Sequence, residues 1–299
     1  MNFNWKRLGL ISGLSLALFA AGCGSADEDT SSESDDTADS GVSGEIELAY
    51  VEWDTEVAST NVIGQVLESI GYDVTLSPLD NSIMWEAVAN DEADAMVAAW
   101  LPGTHGTQME QYGDQMVDLG PNLEGAAIGL VVPTYMDVNS IADLTDEADQ
   151  TITGIEPGAG VVAASEQTLE DYDNLEGWEV QTSSSGAMTT ELGSAYENEE
   201  DIIVTGWSPH WKFQTYDLKY LEDPEGTFGD AETINTMVRE GLEEDMPEAY
   251  QVLDNFNWTV DDIEAIMLEV SEGTSPEEAA ATWIEENQDK VDAWTEGIE

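Results

Sequence analysis

Two sets of short apolar strands, each alternating with amphipathic helices, most constrain the fold of this 299-residue chain. Such alternation is typical of parallel-type sheets covered by helices on both faces. Because the two sets are similar in size, the pattern predicts an α/β protein with two lobes and a cleft between them. The first set has strands at 46–50, 74–76 and 95–99, with one helix ending at Gly71 and another at 82–89; the second has strands at 151–154, 178–181 and 202–205, with helices near 161–172 and 187–197.

Capping residues and stop signals predict where the helices begin and end. Ser59 or Thr60 can cap the first helix, whose apolar positions between 62 and 70 fall on one face. A further apolar strand is predicted at 128–133, between the two sets. The last third of the chain is predicted to form helices that pack against the rest and carry no chemistry. N-cap pairs recur there at Asp245 with Glu248, Thr259 with Asp262, and Ser275 with Glu278.

The N-terminal segment has the form of a lipoprotein signal. Two basic residues precede an apolar run that is too short to span a membrane and ends at Cys23, the chain's single cysteine. We therefore predict a signal peptide at 1–22, lipid attachment to Cys23 and an acidic flexible tether at 23–44. The alternative is a signal cleaved near the same point with Cys23 left as a free thiol, since Ala20 stands where such signals usually have Leu.

A formal net charge of −59 excludes nucleic acid as a partner on electrostatic grounds. Such a charge repels itself at low salt, whereas at molar salt the Debye length is only about 3 Å and the repulsion is screened. We therefore expect a salt-rich environment. The alternative is that the acidic residues bind a basic partner or Ca²⁺. No Asp-x-Asp-x-Asp-Gly loop is present in the sequence, and no metal site is predicted.

Three of the ten tryptophans, Trp53, Trp100 and Trp207, follow predicted strands. In open α/β sheets, ligands bind outside the carboxyl ends of the strands. Three aromatic faces suit a quaternary ammonium, because its diffuse positive surface complements the ring quadrupole, at about 2 kcal/mol per desolvated face. The alternative is that one or two of them line a wall of the core. The remaining tryptophans are predicted to be structural, except that Trp211, near the same strand end as Trp207, is left open.

A ligand that also carries a carboxylate needs hydrogen-bond donors at its other end. The loop 154–161 joins a strand to a helix, and its glycines allow close approach to the N–H groups of the first helical turn. Gly160 and Val161 are placed to donate these groups, and His105 could add a donor from the other lobe. The loop lacks the phosphate-loop and dinucleotide patterns, so no cofactor is predicted. The second histidine, His210, is predicted to be structural.

Five separated segments, at 50–61, 99–105, 154–160, 182–188 and 205–211, carry motifs in a consistent order. They include Val-x-Trp-Asp, Trp-Leu-Pro-Gly-Thr-His, a glycine-rich loop and Gly-Trp-Ser-Pro-His-Trp. Together they resemble the glycine betaine-binding lipoproteins of osmoprotectant ABC transporters, over nearly the whole chain after the tether. The resemblance implies a two-lobed, periplasmic-binding-protein-like fold of type II with two crossovers.

The resemblance also implies roles for individual residues. The three strand-end tryptophans would form a prism around a trimethylammonium head. His105 and the main-chain amides of Gly160 and Val161 would hold the carboxylate. The first lobe is expected at 45–135 together with 226–299, and the second at 136–225.

The function implied is that of a lipid-anchored, extracytoplasmic receptor that captures glycine betaine and delivers it to an ABC permease. It is not expected to be an enzyme. One alternative is a receptor for carnitine, proline betaine or choline. The other is a secreted enzyme using His105 or His210, although the sequence has no Gly-x-Ser-x-Gly elbow, His-Glu-x-x-His motif or catalytic cysteine to support it.

Overall fold

The structure is a computed structural model, described for residues 42–298; the predicted signal peptide and Cys23 lie outside the described residues. No helix among residues 42–298 is both long and apolar enough to cross a membrane. The strands are β1 (Gly44–Tyr50), β2 (Tyr72–Pro78), β3 (Ala95–Leu101), β4 (Met116–Pro133), β5 (Thr151–Gly154), β6 (Glu179–Thr182), β7 (Ile203–Ser208), β8 (Leu218–Tyr220) and β9 (Glu232–Arg239). The helices are α1 (Asp54–Ile70), α2 (Asn81–Ala89), α3 (Gly106–Tyr112), α4 (Gly160–Asp171), α5 (Ser185–Asn198), α6 (Lys212–Thr215), α7 (Leu242–Asp245), α8 (Pro247–Asn255), α9 (Val260–Ser271), α10 (Pro276–Glu286) and α11 (Gln288–Trp294).

The strands form one mixed sheet in the order β2-β1-β3-β9-β4-β7-β5-β6, with β8 paired to β4. The long strand β4 belongs to both halves, because its first part pairs with β9 and its last part with β7 and β8. We call the half with β1, β2, β3 and β9 the first lobe and the half with β5 to β8 the second lobe. The chain passes between them along β4 and again between β8 and β9. The residue boundaries predicted for the lobes stay predictions.

The antiparallel strands were only partly predicted. Strands β1, β2 and β3 are parallel, as are β5, β6 and β7, which agrees with the predicted alternation. Strand β9 was missed, and β4 begins at Met116 rather than near residue 128. Both are antiparallel and pair with each other and with strands distant in the chain. In β9, polar residues occupy buried positions, so the sequence shows neither an apolar run nor a regular alternation.

The predicted start of α1 at Ser59 or Thr60 is wrong. The helix begins at Asp54, directly after Trp53, and Ser59 and Thr60 are buried within it. Its first turn contains two acidic residues, which interact favourably with the partial positive charge of a helix N-terminus. The predicted end is confirmed, because Gly71 adopts a left-handed conformation with φ of 117°.

The C-terminal helices pack much as predicted. The N-caps at Thr259 and Ser275 are confirmed by hydrogen bonds to the first turns of α9 and α10. Asp245 is not a cap, because it ends α7 and α8 begins at Pro247. The aromatic side chains of this region pack against one another in the core, as expected for structural residues: Phe256, Trp258, Trp283 and Trp294.

Candidate ligand-binding site

A small cavity lies where the end of β3, the end of β7 and the start of α4 meet. Five of the six residues predicted to bind the ligand line it: Trp53, Trp100, Trp207, Gly160 and Val161. The three tryptophans are buried, so their rings form walls and not exposed patches. The remaining lining residues are Thr55, Thr104, Ile128, Ile155 and Ala159.

Trp100 is held by a buried carboxylate that the sequence analysis did not identify. Its Nε1 donates a hydrogen bond of 2.7 Å to Oε1 of Glu56, in the first turn of α1. Burial raises the pKa of Glu56 to about 7, although the hydrogen bonds from Thr55 and Trp100 act in the opposite direction. This hydrogen bond fixes the orientation of the Trp100 ring.

Trp53 is the N-cap residue of α1, and it joins the two lobes. Its Nε1 donates a hydrogen bond to the carboxylate of Glu156, which lies in the glycine-rich loop after β5. On the first lobe, its ring stacks on the imidazole of His105, with centroids 5.8 Å apart and planes inclined by 25°. Trp53 is therefore oriented by both lobes at once.

His105 is the one predicted site residue that is not among those lining the cavity. It is fully buried between Trp53 and Trp85, and its Nδ1 accepts a hydrogen bond of 3.0 Å from the main-chain N–H of Trp100. Burial lowers the pKa of His105 to about 3, against a smaller opposing effect of the Ala98 carbonyl, so the ring is neutral at pH 7. Because Nδ1 accepts, the proton is assigned to Nε2. This Nε2 has no hydrogen-bond partner among the described residues.

The start of α4 brings main-chain donors to the cavity. The N–H groups of Val162 and Ala163 both donate to the carbonyl of Ala159, over 3.1 Å. Those of Gly160 and Val161 have no i−4 carbonyl within the helix to bond, as at every helix start. They are the donors of this turn that border the cavity.

Gly160 also lies close against Thr104 of the first lobe. A Cβ at this position would lie 2.4 Å from the main-chain oxygen of Thr104. Real Cβ atoms do not approach oxygen so closely, so any other residue would force the two segments apart. Glycine at position 160 is therefore a requirement of this close approach between lobes.

Trp207 has different surroundings from Trp100. Its indole N–H has no partner among the described residues. Behind it lies Lys212, a fully buried lysine whose Nζ is 4.3 Å from the ring centroid and donates to the Trp207 carbonyl over 3.3 Å. Burial lowers the pKa of Lys212 well below its ordinary value, an effect that Asp54 partly opposes.

His210 was predicted to be structural and the role of Trp211 was left open. Both lie outside the cavity, beside Asp54 of the first lobe. The sequence did not predict the two carboxylates that accept hydrogen bonds from the indole N–H groups, Glu56 and Glu156. Glu56 follows Trp53 by three positions and falls on the same helical turn, a signal that was lost because α1 was expected to start later.

Within residues 42–298 no group of three or more His, Cys, Asp or Glu side chains is arranged to hold a metal ion.

Residues 44–286 match the family described as the substrate-binding domain of an ABC-type glycine betaine transport system, OpuAC. The chain belongs to this family. It is 49% identical over 175 residues to the glycine betaine/carnitine transport binding protein GbuC of Listeria monocytogenes; the match takes in 58% of this chain and 57% of GbuC. The chain thus spans somewhat more than half the length of that curated relative.

Solved structures of related proteins share the fold. Lactococcal OpuAC, in a closed conformation with glycine betaine, is 57% identical with a TM-score of 0.83, over 84% of this chain and 99% of that one. A glycine betaine/L-proline-binding protein of Borrelia burgdorferi is 35% identical with a TM-score of 0.81, over 84% and 96%. A choline-binding protein with choline is 25% identical with a TM-score of 0.79, over 85% and 93%. The predicted two-lobed, periplasmic-binding-protein-like fold is confirmed.

Proposed function

We propose that this OpuAC-family protein is the extracytoplasmic receptor that captures glycine betaine and delivers it to an ABC permease. The observation that carries the proposal is one cavity with indole walls from both lobes and main-chain donors at its edge. A zwitterion with a trimethylammonium group and a carboxylate needs this combination. Lactococcal OpuAC, at 57% identity, is known in complex with glycine betaine, which supports the same choice of ligand here.

The trimethylammonium group is proposed to lie among Trp53, Trp100 and Trp207. It has no N–H to donate, so hydrogen-bond acceptors cannot recognise it, whereas each indole face attracts its diffuse charge. When the cation is desolvated, each face contributes about 2 kcal/mol. The cavity offers the ligand aromatic rings in place of carboxylates, which favours methylated ammonium groups over Na⁺ or a primary amine.

The carboxylate is proposed to accept hydrogen bonds from the N–H groups of Gly160 and Val161. These groups point out of a helix N-terminus, where the helix dipole also favours a negative charge. His105 is proposed to add a third donor through Nε2–H, the buried group that has no protein partner. His105 stacks on Trp53 and does not line the cavity, so its Nε2–H would have to reach the ligand past the Trp53 ring.

Anchoring follows from the predicted N-terminal segment. We propose that Cys23 carries a lipid that holds the protein at the outer face of the membrane, with the acidic tether between lipid and lobes. The strongly negative charge suits a protein that works in concentrated salt, where repulsion between carboxylates is screened.

Methylated ammonium solutes other than glycine betaine remain the alternative ligands. The relatives' names include carnitine and choline.

The test is isothermal titration calorimetry in about 1 M salt against glycine betaine, proline betaine, carnitine, choline and sarcosine. We expect glycine betaine to bind and sarcosine to bind far more weakly, because sarcosine has fewer methyl groups. Choline should also bind weakly, because it lacks the carboxylate that Gly160 and Val161 would hold. Tighter binding of choline than of glycine betaine would reassign the ligand. Turnover of betaine or choline, followed by NMR, would instead favour the enzyme alternative.

Trp100→Ala and Trp207→Ala should each lower the affinity for glycine betaine by at least about tenfold, because each removes one face of the prism. The matched control is Trp178→Ala, which removes a buried tryptophan that does not line the cavity. This control should lose stability but keep its affinity. Near-normal binding by both cavity variants would contradict the proposed prism.

A further inference from the structure

Asp54, in the first turn of α1 on the first lobe, is bonded by side chains of the second lobe. Its Oδ1 accepts a hydrogen bond of 2.6 Å from Nε1 of Trp211. Its Oδ2 accepts one of 3.0 Å from Oγ of Ser185, at the start of α5. Nε2 of His210 lies 3.5 Å from Oδ2, without a hydrogen bond. These contacts join parts of the chain that are 131 and 157 residues apart.

The charge on Asp54 is stabilised by these neighbours. Burial alone would raise the pKa of Asp54, but the nearness of His210 and the bonds from Trp211 and Ser185 lower it well below its ordinary value. Burial, with Lys212 nearby, also lowers the pKa of His210 to about 4, so this ring is neutral at pH 7. Asp54 is therefore an ionised carboxylate satisfied chiefly by neutral donors of the opposite lobe.

The position of Asp54 ties these bonds to the cavity. Its chain neighbours, Trp53 and Thr55, both line the cavity, whereas Asp54 does not. On the second lobe, Trp211 lies three residues after the end of β7, the strand that carries Trp207 of the cavity wall. The bonds to Asp54 thus form when the segments that carry the two walls come together.

We propose that Asp54 is a latch: a positioning residue that holds the two lobes closed over the ligand through Trp211 and Ser185, and so sets how long the ligand stays bound. The proposal rests on the proposed function. It gives Trp211 a role that does not require contact with the ligand. It also predicts that weakening the latch speeds release while leaving the cavity walls in place, because interactions made only in the closed state act mainly on dissociation.

Other bonds between the lobes are less suited to this role. Trp53 donates to Glu156, but Trp53 is itself a wall of the cavity, so its loss would change ligand contacts directly. Nδ2 of Asn81 donates to the carbonyl of Gly158 over 3.1 Å, which is a single bond between neutral groups. Asp54 combines two bonds, a full negative charge and a position outside the cavity.

The first experiment measures association and release of radiolabelled glycine betaine for wild type, Asp54→Asn, Trp211→Phe and the double variant. Each single change should raise the dissociation rate constant by about tenfold and leave association nearly unchanged, since Asp54→Asn removes the charge of the acceptor and Trp211→Phe removes the donor of one charge-assisted hydrogen bond. The double variant should release ligand little faster than either single variant, because both changes act on this same bond. Glu68→Gln, which changes an exposed acidic residue in the last turn of the same helix, among first-lobe residues only, is the control and should behave as wild type.

The second experiment measures closure without requiring ligand. Fluorophores are attached to cysteines at two exposed positions, Glu285→Cys on the first lobe and Glu191→Cys on the second, with Cys23→Ser to prevent other labelling. Energy transfer then reports the closed fraction with and without glycine betaine. Asp54→Asn should lower that fraction in both conditions, and Glu68→Gln should not.

The outcomes separate the latch from the function. If wild type binds no compound of the panel, the proposed function fails, and the closed fraction of the ligand-free protein still decides whether Asp54 is a latch. If wild type binds glycine betaine but Asp54→Asn changes neither release nor closed fraction, the latch is wrong and the function stands. Additive effects of Asp54→Asn and Trp211→Phe would also overturn the latch, since the two residues would then act independently.

Discussion

The two indole walls of the cavity face each other but are supported by opposite chemistry. On the first lobe, Trp100 donates its N–H to the buried carboxylate of Glu56. On the second lobe, the N–H of Trp207 has no partner among the described residues, and the buried amine of Lys212 lies 4.3 Å from its ring centroid. One wall therefore has an acidic group behind it and the other a basic group.

The difference matters because the expected ligand is a cation. A carboxylate behind a ring adds negative potential to the site, whereas a protonated lysine over the same ring would compete for its electron-rich face. Burial reduces the second problem by lowering the pKa of Lys212, so that its amine holds a proton less tightly than an exposed lysine does. The first-lobe wall thus attracts the cation through an added negative charge, and the lowered pKa of Lys212 weakens the repulsion from the second-lobe wall.

The largest expected effect concerns the charge of Glu56 and the dependence of stability on pH. An unfolded glutamate has a pKa of about 4.3, whereas burial raises that of Glu56 in the folded protein to about 7. Between these values the folded state binds more protons, so this group makes stability fall as pH rises. Glu56→Gln keeps an acceptor for Trp100 but does not ionise. Relative to wild type, its unfolding free energy should rise by about 2 kcal/mol from about pH 5 to about pH 8.

The measurement is urea unfolding in molar salt at several pH values, with Glu52→Gln as the matched control. Glu52 is exposed, so its variant should follow the wild-type pH dependence. Calorimetry on the same samples should show weaker glycine betaine binding by Glu56→Gln at about pH 8, where wild type is ionised. If the difference in unfolding free energy between Glu56→Gln and wild type is constant across the pH range, the prediction that Glu56 supports Trp100 as a charged group is wrong.

The next effect compares the two indole N–H groups directly. Trp100→Phe and Trp207→Phe each trim one ring of the same cavity, but only Trp100→Phe removes a hydrogen-bond donor from a buried carboxylate, leaving Oε1 of Glu56 without its partner. We expect Trp100→Phe to lose about 1.5 kcal/mol more unfolding free energy than Trp207→Phe, because an unsatisfied buried acceptor is costly. Denaturant unfolding of both variants at about pH 8 measures this difference. Equal losses would mean that the bond to Glu56 contributes nothing net.

The sequence predicted the walls of the site better than their supports. Trp53, Trp100 and Trp207 could be selected because each follows a predicted strand, although the structure places Trp100 and Trp207 within the last residues of β3 and β7. Gly160 and Val161 could be selected because they open a helix after a glycine-rich loop. These choices depend only on local pattern and on the rule that strand ends meet at one edge of a sheet. All five residues line one cavity.

The supports depend on contacts between distant segments, which local patterns do not reveal. Glu56 was hidden because the predicted start of α1 was late, which placed this residue in a turn where its direction could not be inferred. Glu156 accepts its hydrogen bond from Trp53, 103 positions away in the chain. Strand β9 was missed for the same reason, since its neighbours β3 and β4 are far away in sequence. Lys212 is the exception: it is only five positions from Trp207, but lysine is rarely buried, so the sequence did not predict its contact with the ring.

The smallest expected effect tests the second-lobe wall through Lys212→Met, which fills a similar volume without an amine. Because the pKa of Lys212 is lowered, its protonated fraction grows as pH falls, and the charge then competes with the ligand for the Trp207 ring. His210, with a pKa lowered to about 4, stays neutral over the range used. Measured in a Glu56→Gln background, so that Glu56 does not titrate, Lys212→Met should raise affinity by about two- to fivefold near pH 6, equivalent to about 0.5–1 kcal/mol of cation–π attraction.

The gain should be smaller at about pH 8 than near pH 6, because the protonated fraction of the wild-type amine falls as pH rises. Lys219→Met is the matched control, since Lys219 bonds Met136 and Asn139 on the second lobe and has no ring contact. It removes one positive charge and should leave affinity unchanged at both pH values. A lower affinity of Lys212→Met at every pH would mean that the amine supports Trp207 and does not compete with the ligand. The two walls would then differ in the sign of the supporting charge but not in its effect on the cation.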